Sequence, residues 1–145
     1  MSIDIDNAIL TRWNAASLNT SIATLYPGDD VSTPEESSPT MPRANYYSMD
    51  DPLESESRGT LVKVKQYTFQ VFATTYEAAA GYVKSIAAAF LNSENSTSNA
   101  LQVAASIGKI LSTHEVNEMT IKHDDSTFEG NYVLSVRWRK AKAIP

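Results

Sequence analysis

Histidines beside carboxylates are the first places where this chain could hold a metal or move a proton. His114 precedes Glu115, and His123 precedes Asp124 and Asp125. Imidazole and carboxylate both ligate metals and both carry protons, but a working centre needs further ligands, and the chain has 2 His and 0 Cys. Both histidines adjoin charged residues of turn type, so a solvated turn is the simpler reading. Asp29-Asp30 and Asp50-Asp51 offer oxygen ligands for a divalent cation. Adjacent side chains seldom converge on one ion, and these pairs are read as loop acids. The sequence contains no glycine-rich phosphate loop, no nucleophile elbow, no His-Glu-x-x-His and no cysteine pair for zinc. The expectation is a protein that is not an enzyme and carries no cofactor or metal.

Arg137, Trp138, Arg139 and Lys140 combine the residue types that stack on bases and neutralise phosphates. The alternation Tyr132, Leu134, Val136, Trp138 places the indole on the apolar face of a strand and the basic residues on the other. A basic tail of Arg137, Arg139, Lys140 and Lys142 that contacts a partner is therefore expected, rather than a nucleic-acid reader. The chain as a whole is acidic, with net charge -5. Between Gly28 and Arg58 stand Asp29, Asp30, Glu35, Glu36, Asp50, Asp51, Glu54 and Glu56 against Arg43 and Arg58 alone. Such a chain has an acidic loop region and a basic tail.

These groups must be held by one domain spanning 1-145. At 145 residues, 42% of them hydrophobic, the chain buries about 68–70% of its unfolded surface around one core. The absence of cysteine excludes disulfides and suits a reducing compartment. The first residues lack the basic and apolar blocks of a signal peptide, and the nearly apolar run from Ala78 to Leu91 contains Lys84 and is too short to span a bilayer. A soluble protein without membrane contact is expected.

The informative stretch is Tyr67 to Phe90. Tyr67, Phe69 and Val71 alternate with Thr68 and Gln70 as in a half-buried strand. Thr74 is then placed to cap a helix, with Glu77 completing a capping box. Tyr76, Ala79, Ala80, Val83, Ile86, Ala87 and Phe90 recur at spacings of three and four and form the stripe that lies on the sheet. Upstream, Val62 and Val64 have the opposite parity, which predicts a β-bulge near Lys65-Gln66 or a change of covering partner. A first helix starts after Ser2 and ends near Ser17, burying Ile5, Ile9, Leu10 and Trp13.

Short strands are expected at Ile22 to Tyr26 and at 45-49, set within an acidic, loop-rich segment, 28-58, whose part from Val31 to Pro42 reads as a mobile loop. Asn92 to Asn99 reads as a polar linker. The segment from Ala100 to Ser112 fits helix or strand. A strand from about Lys109 to Lys122, interrupted near Asn117, is favoured because the alternating last segment needs an antiparallel neighbour. His123 to Ser126 is then the turn. The result is an α+β domain: a mostly antiparallel twisted sheet of four to five strands covered by a long central helix and an N-terminal helix.

The long helix has a second stripe, Ala78, Gly81, Ser85, Ala88 and Ala89, made of small residues. An alanine-rich solvent face is one explanation. Gly81 costs about 1 kcal/mol relative to Ala inside a helix, so close approach of another subunit is the competing one.

The order of elements and several phrases resemble the tail-terminator or tail-completion (minor tail, neck-region) proteins of long-tailed bacteriophages and phage-derived gene-transfer particles. The resemblance rests on the N-terminal helix, Leu25-Tyr26-Pro27-Gly28, a variable loop to Pro42 and a strand with Tyr46. It continues through Tyr67-Thr-Phe-Gln-Val-Phe-Ala, the helix from Thr75-Tyr-Glu-Ala-Ala, and two closing strands ending at Trp138. The insert from Asp29 to Met41 is longer than the family's pattern. The resemblance implies a homohexameric ring that ends the tail tube and presents the joining surface for the head, with the tail tube protein and a head-neck connector or stopper as partners. DNA passes through such a ring without specific binding, and acidic loops on the channel wall would keep phosphate from sticking. The implied location is the virion tail or neck, with host cytoplasm during assembly. A connector or stopper of the neck, and a small-ligand-binding α+β domain, remain as alternatives.

Overall fold

The sheet is organised around one long strand of alternating residues, Val62–Ala73, in a computed structural model that describes residues 3–27, 42–50, 62–91, 101 and 108–140. In chain order the elements are α1 (Ile3–Ala15), α2 (Leu18–Ser21), β1 (Leu25–Pro27), β2 (Arg43–Asp50), β3 (Val62–Ala73), α3 (Tyr76–Phe90), β4 (Gly108–Asp124) and β5 (Thr127–Lys140). They form a five-stranded sheet of order β1-β2-β3-β5-β4, antiparallel except where β1 runs parallel to β2. This is the expected α+β arrangement.

On β3, Tyr67, Phe69 and Val71 are fully buried beneath the helices. Phe69 stacks between Trp13 of α1, at 5.9 Å, and Phe90 of α3, at 5.1 Å, so one ring joins both helices to the sheet. The expected bulge near Lys65-Gln66 is absent: β3 pairs with β5 in unbroken register from Val62↔Arg139 to Ala73↔Phe128. The parity change is chemical rather than geometric. Lys65 occupies the helix side, buried, with its ammonium 3.1 Å from Asp6 Oδ1 of α1, and Tyr67 donates its hydroxyl to the same oxygen at 2.6 Å. Its hydrocarbon stem fills apolar space while its charge reaches a partner, and Val64 is buried on the other face.

Helix α1 buries Ile5, Ile9 and Trp13, one turn apart, with Leu10 partly covered, as the spacing requires. It is followed by Ser17 in the left-handed region (φ 63) and the single turn of α2. Ile22 belongs to this turn and not to a strand: its N–H donates to Leu18 O at 2.8 Å, and β1 begins only at Leu25. The cap of α3 lies one residue later than its sequence suggests. Thr75, not Thr74, accepts from the Ala78 N–H at 3.1 Å, and Glu77 stands in the first turn, where its charge favours the helix dipole.

The other end of α3 is tied down twice. Arg12 Nε donates to Ala89 O at 2.8 Å and Thr113 Oγ1 donates to Phe90 O at 2.7 Å, which satisfies carbonyls that helix geometry leaves without partners. In its middle the helix comes close to β5. A Cβ added at Gly130 would lie 2.6 Å from Val83 Cγ2 and 2.8 Å from Ala79 O.

Strands β4 and β5 form a long hairpin closed at Asp125-Ser126, where Asp124 Oδ1 accepts from the Ser126 N–H at 2.8 Å. Its register shifts at three places, one of them between Glu115 and Asn117, where the sequence predicts an interruption. The segments 28–41, 51–61, 92–100 and 102–107, with the loop and linker expectations placed there, lie outside the described residues.

Candidate interaction surfaces

The helix stripe offered for subunit contact divides on inspection. Gly81, Ser85 and Ala88 are exposed and Ala78 is half-buried, but Ala89 is buried in the core and belongs to the face that meets the sheet. The correction follows from helix geometry, because Ala89 lies three residues from the buried Ile86 and next to the buried Phe90, at the edge of the covered face. A Cβ at Gly81 would meet nothing within 4 Å, so no contact inside the subunit requires glycine there. Ser85 Oγ donates back to Gly81 O at 3.1 Å.

The charged groups are also only partly gathered. Arg137 and Arg139 are exposed on the sheet face turned away from the helices, while Trp138 between them is buried, as the alternation predicts. Of Lys140 and Asp50 only the strand-end backbone is described. Lys142, Asp29, Asp30, Glu35, Glu36, Asp51, Glu54 and Glu56 lie outside the described residues. His114 is exposed. His123 turns to Glu129, at 2.9 Å, rather than to its neighbours Asp124 and Asp125. Among the described residues no three His, Asp or Glu side chains are placed to share a metal ion.

On the face away from the helices a polar network runs across four strands. Asn45 Nδ2 donates to Gln70 Oε1 at 2.9 Å, and Gln70 Nε2 donates to Glu129 Oε2 at 3.2 Å. That oxygen also accepts from Asn131 Nδ2 at 2.9 Å, and His123 Nε2 meets Glu129 Oε1. Glu129 is buried, and its carboxylate is the acceptor that holds the network. The guanidinium of Arg43 lies 5.9 Å above Phe72, whose ring is 6.2 Å from His123. Around this network Tyr26, Tyr47, Met49 and Met119 are exposed. Aromatic rings and methionines are residue types enriched where protein surfaces meet.

On the opposite side, β4 presents Glu118 across from Tyr132 and Glu115 across from Leu134. Residues three apart on a regular strand point to opposite faces. The bulge at Val116 cancels that parity and turns both carboxylates to the helix side. Tyr132 is fully buried, and its hydroxyl faces the carboxylates of Glu115 and Glu118. Burial and the charges of Glu115 and Glu118 push its phenol above the ordinary value. The sequence draws attention to Glu115 only as the neighbour of His114, and to neither Glu118 nor Glu129. The legible signal was the break expected near Asn117, which becomes informative only when followed into the facing of its neighbours.

Among the described residues no helix is long and apolar enough to cross a membrane. No protein-family model matches the chain, and no curated protein matches it. Among solved structures, the fold is similar to a chain in one described as the virion of a native gene transfer agent (GTA) particle. The TM-score is 0.63 at 13% sequence identity, and the alignment covers 92% of this chain and 92% of that one.

Proposed function

We infer that this protein is a structural subunit of a phage-like particle, and that it forms the ring that terminates the tail tube and receives the head. The observation that carries the reading is the likeness in fold to a chain of a gene transfer agent virion over nearly the whole length of both chains. It joins the resemblance in element order, from Leu25-Tyr26-Pro27-Gly28 to Trp138, to the tail-terminator proteins. The space between helices and sheet is filled by Trp13, Tyr67, Phe69 and Phe90, which suits a scaffold better than a small-ligand binder. The reading assigns the protein no catalysis and no cofactor. Its work is to hold surfaces toward its own copies, the tube and the head-side connector.

The test is a tube assembly assay. The cognate tail tube protein is polymerised with and without this protein, and a gold-labelled version is located by electron microscopy. The expected result is label at one end of each tube and an arrest of growth. Label scattered along the tubes, or none bound, would overturn the reading. Binding to the isolated head-side connector but not to tubes would move the protein to the connector or stopper position.

A further inference from the structure

Two groups of opposite charge stand on opposite faces of the same sheet edge. On the face away from the helices, Lys109 lies directly across the β4–β5 ladder from Arg139, with Arg137 two residues along on the same face. All three are exposed, and none forms an ion pair among the described residues. Like charges directly opposite in a ladder repel, and among the described residues no acidic side chain is paired with these three. On the helix side, the bulge at Val116 sets Glu115 and Glu118 on the same face, beside the buried hydroxyl of Tyr132. Neither carboxylate has a cationic partner within 4.0 Å among the described residues. Val116, next to Glu115 in β4, is exposed, and so is Met49 of β2 on the face that carries the bases.

We propose that the Glu115–Glu118 pair of one copy binds the Lys109–Arg137–Arg139 group of the next copy. The two groups face opposite ways, so a contact between them cannot be two-fold. It is head to tail, it leaves one group of each kind free at either end, and it closes into a ring when the rotation between copies allows. The proposal rests on the ring reading above for that closure, and it supplies the contact that the reading leaves unassigned.

The experiment uses the full chain and three variants: Glu115→Lys with Glu118→Lys, Arg137→Glu with Arg139→Glu, and all four changes together. Association is measured by light scattering at low and high salt, with circular dichroism to show that each variant is folded. In parallel, equal amounts of isotopically light and heavy wild-type protein are treated with a carbodiimide, which couples Lys109 to a carboxylate at contact distance. The expected result is association that salt weakens, a loss of about tenfold or more in each double variant, and recovery when all four charges are exchanged. Cross-linked peptides should join a light Lys109 to a heavy Glu115 or Glu118.

An oligomer unaltered in both double variants would overturn the charge contact and leave the ring reading intact. Wild-type protein that remains monomeric at every attainable concentration, without mixed cross-links, would overturn both. Links from Lys109 only to Asp51, Glu54 or Glu56 of the same copy would give the basic group to the chain's own acidic segment and overturn the contact.

Discussion

The two faces of this sheet use the same strands to different ends. Toward the helices, β3 and β5 present Tyr67, Phe69, Val71, Tyr132, Leu134 and Val136, all fully buried. Away from the helices the same strands present Gln66, Thr68, Gln70, Asn131 and Arg137, bordered by exposed Tyr47 and Met49. Burial of apolar area stabilises the first face, at roughly 25 cal/mol per Å². On the second, Gln70 and Asn131 hydrogen-bond to the buried Glu129, and the large groups Tyr47 and Met49 stay exposed. The alternation of a strand thereby separates the side chains that build the core from those on the uncovered face, and changes on the two faces should have separable effects.

The largest effects belong to the covered face. Phe69→Ala and Phe90→Ala should each cost about 3–5 kcal/mol, read from urea unfolding. A loss below about 1 kcal/mol at both positions would mean that the aromatic stack does not hold the helices to the sheet.

Next comes the ion pair that crosses from α1 to β3. The Lys65 side chain is 4% exposed and that of Asp6 is 25% exposed, so the two partners differ in what is left behind when either is removed. Asp6→Asn strands a buried ammonium and should cost about 2–4 kcal/mol, discounted for the solvent that reaches Asp6. Lys65→Met leaves a carboxylate that keeps water and the Tyr67 hydroxyl, and should cost less. Equal losses, or the reverse order, would refute this account of the parity change in β3.

Two glycines sharpen the comparison further. Gly130→Ala drives a methyl group into Val83 and the Ala79 carbonyl and should cost about 1–3 kcal/mol through overpacking. Gly81→Ala meets open space and should gain about 1 kcal/mol from helix propensity. Thermal unfolding of both variants decides the point, and a destabilised Gly81→Ala would show that the outer helix face is packed. On the face away from the helices, Met49→Lys and Tyr47→Ser should stay within about 0.5 kcal/mol of wild type while reducing binding to copies or partners. Unchanged assembly together with lost stability would reverse the assignment of the two faces.

The smallest effect is electrostatic. Asp124 is fully exposed, and its carboxyl is held below the ordinary value chiefly by the backbone hydrogen bond from Ser126. A depressed folded pKa contributes stability that is present above the unfolded value of 3.8 and is lost as pH falls through the folded one. Asp124→Asn should flatten that part of the acid limb. An acid limb unchanged by the substitution would mean that the turn bond does not bear on folding.

Periodicities were legible in the chain because they are local. The alternation from Tyr67 to Val71 and from Tyr132 to Trp138, the repeat of Ile5, Ile9 and Trp13, and the stripe through Val83, Ile86 and Phe90 each follow from the geometry of one element. That was enough to specify an α+β domain with helices on one side of the sheet. Tertiary structure decided everything that depends on what stands opposite. Lys65 reads as a surface residue until Asp6 arrives from a helix some sixty positions earlier in the chain. Gly130 looks like a strand weakness until the backbone of α3 descends on it. Thr74, three residues before Glu77, reads as the cap until the chain leaving β3 at Ala73 sets Thr75 there instead, and Ala89 reads as part of the small-residue stripe until the helix is rotated onto its sheet. Glu115 and Glu118 are unrelated residues until a bulge at Val116 turns them to the same face. A residue's own chemistry sets which neighbours it can accept, and only the folded chain determines which neighbours it has.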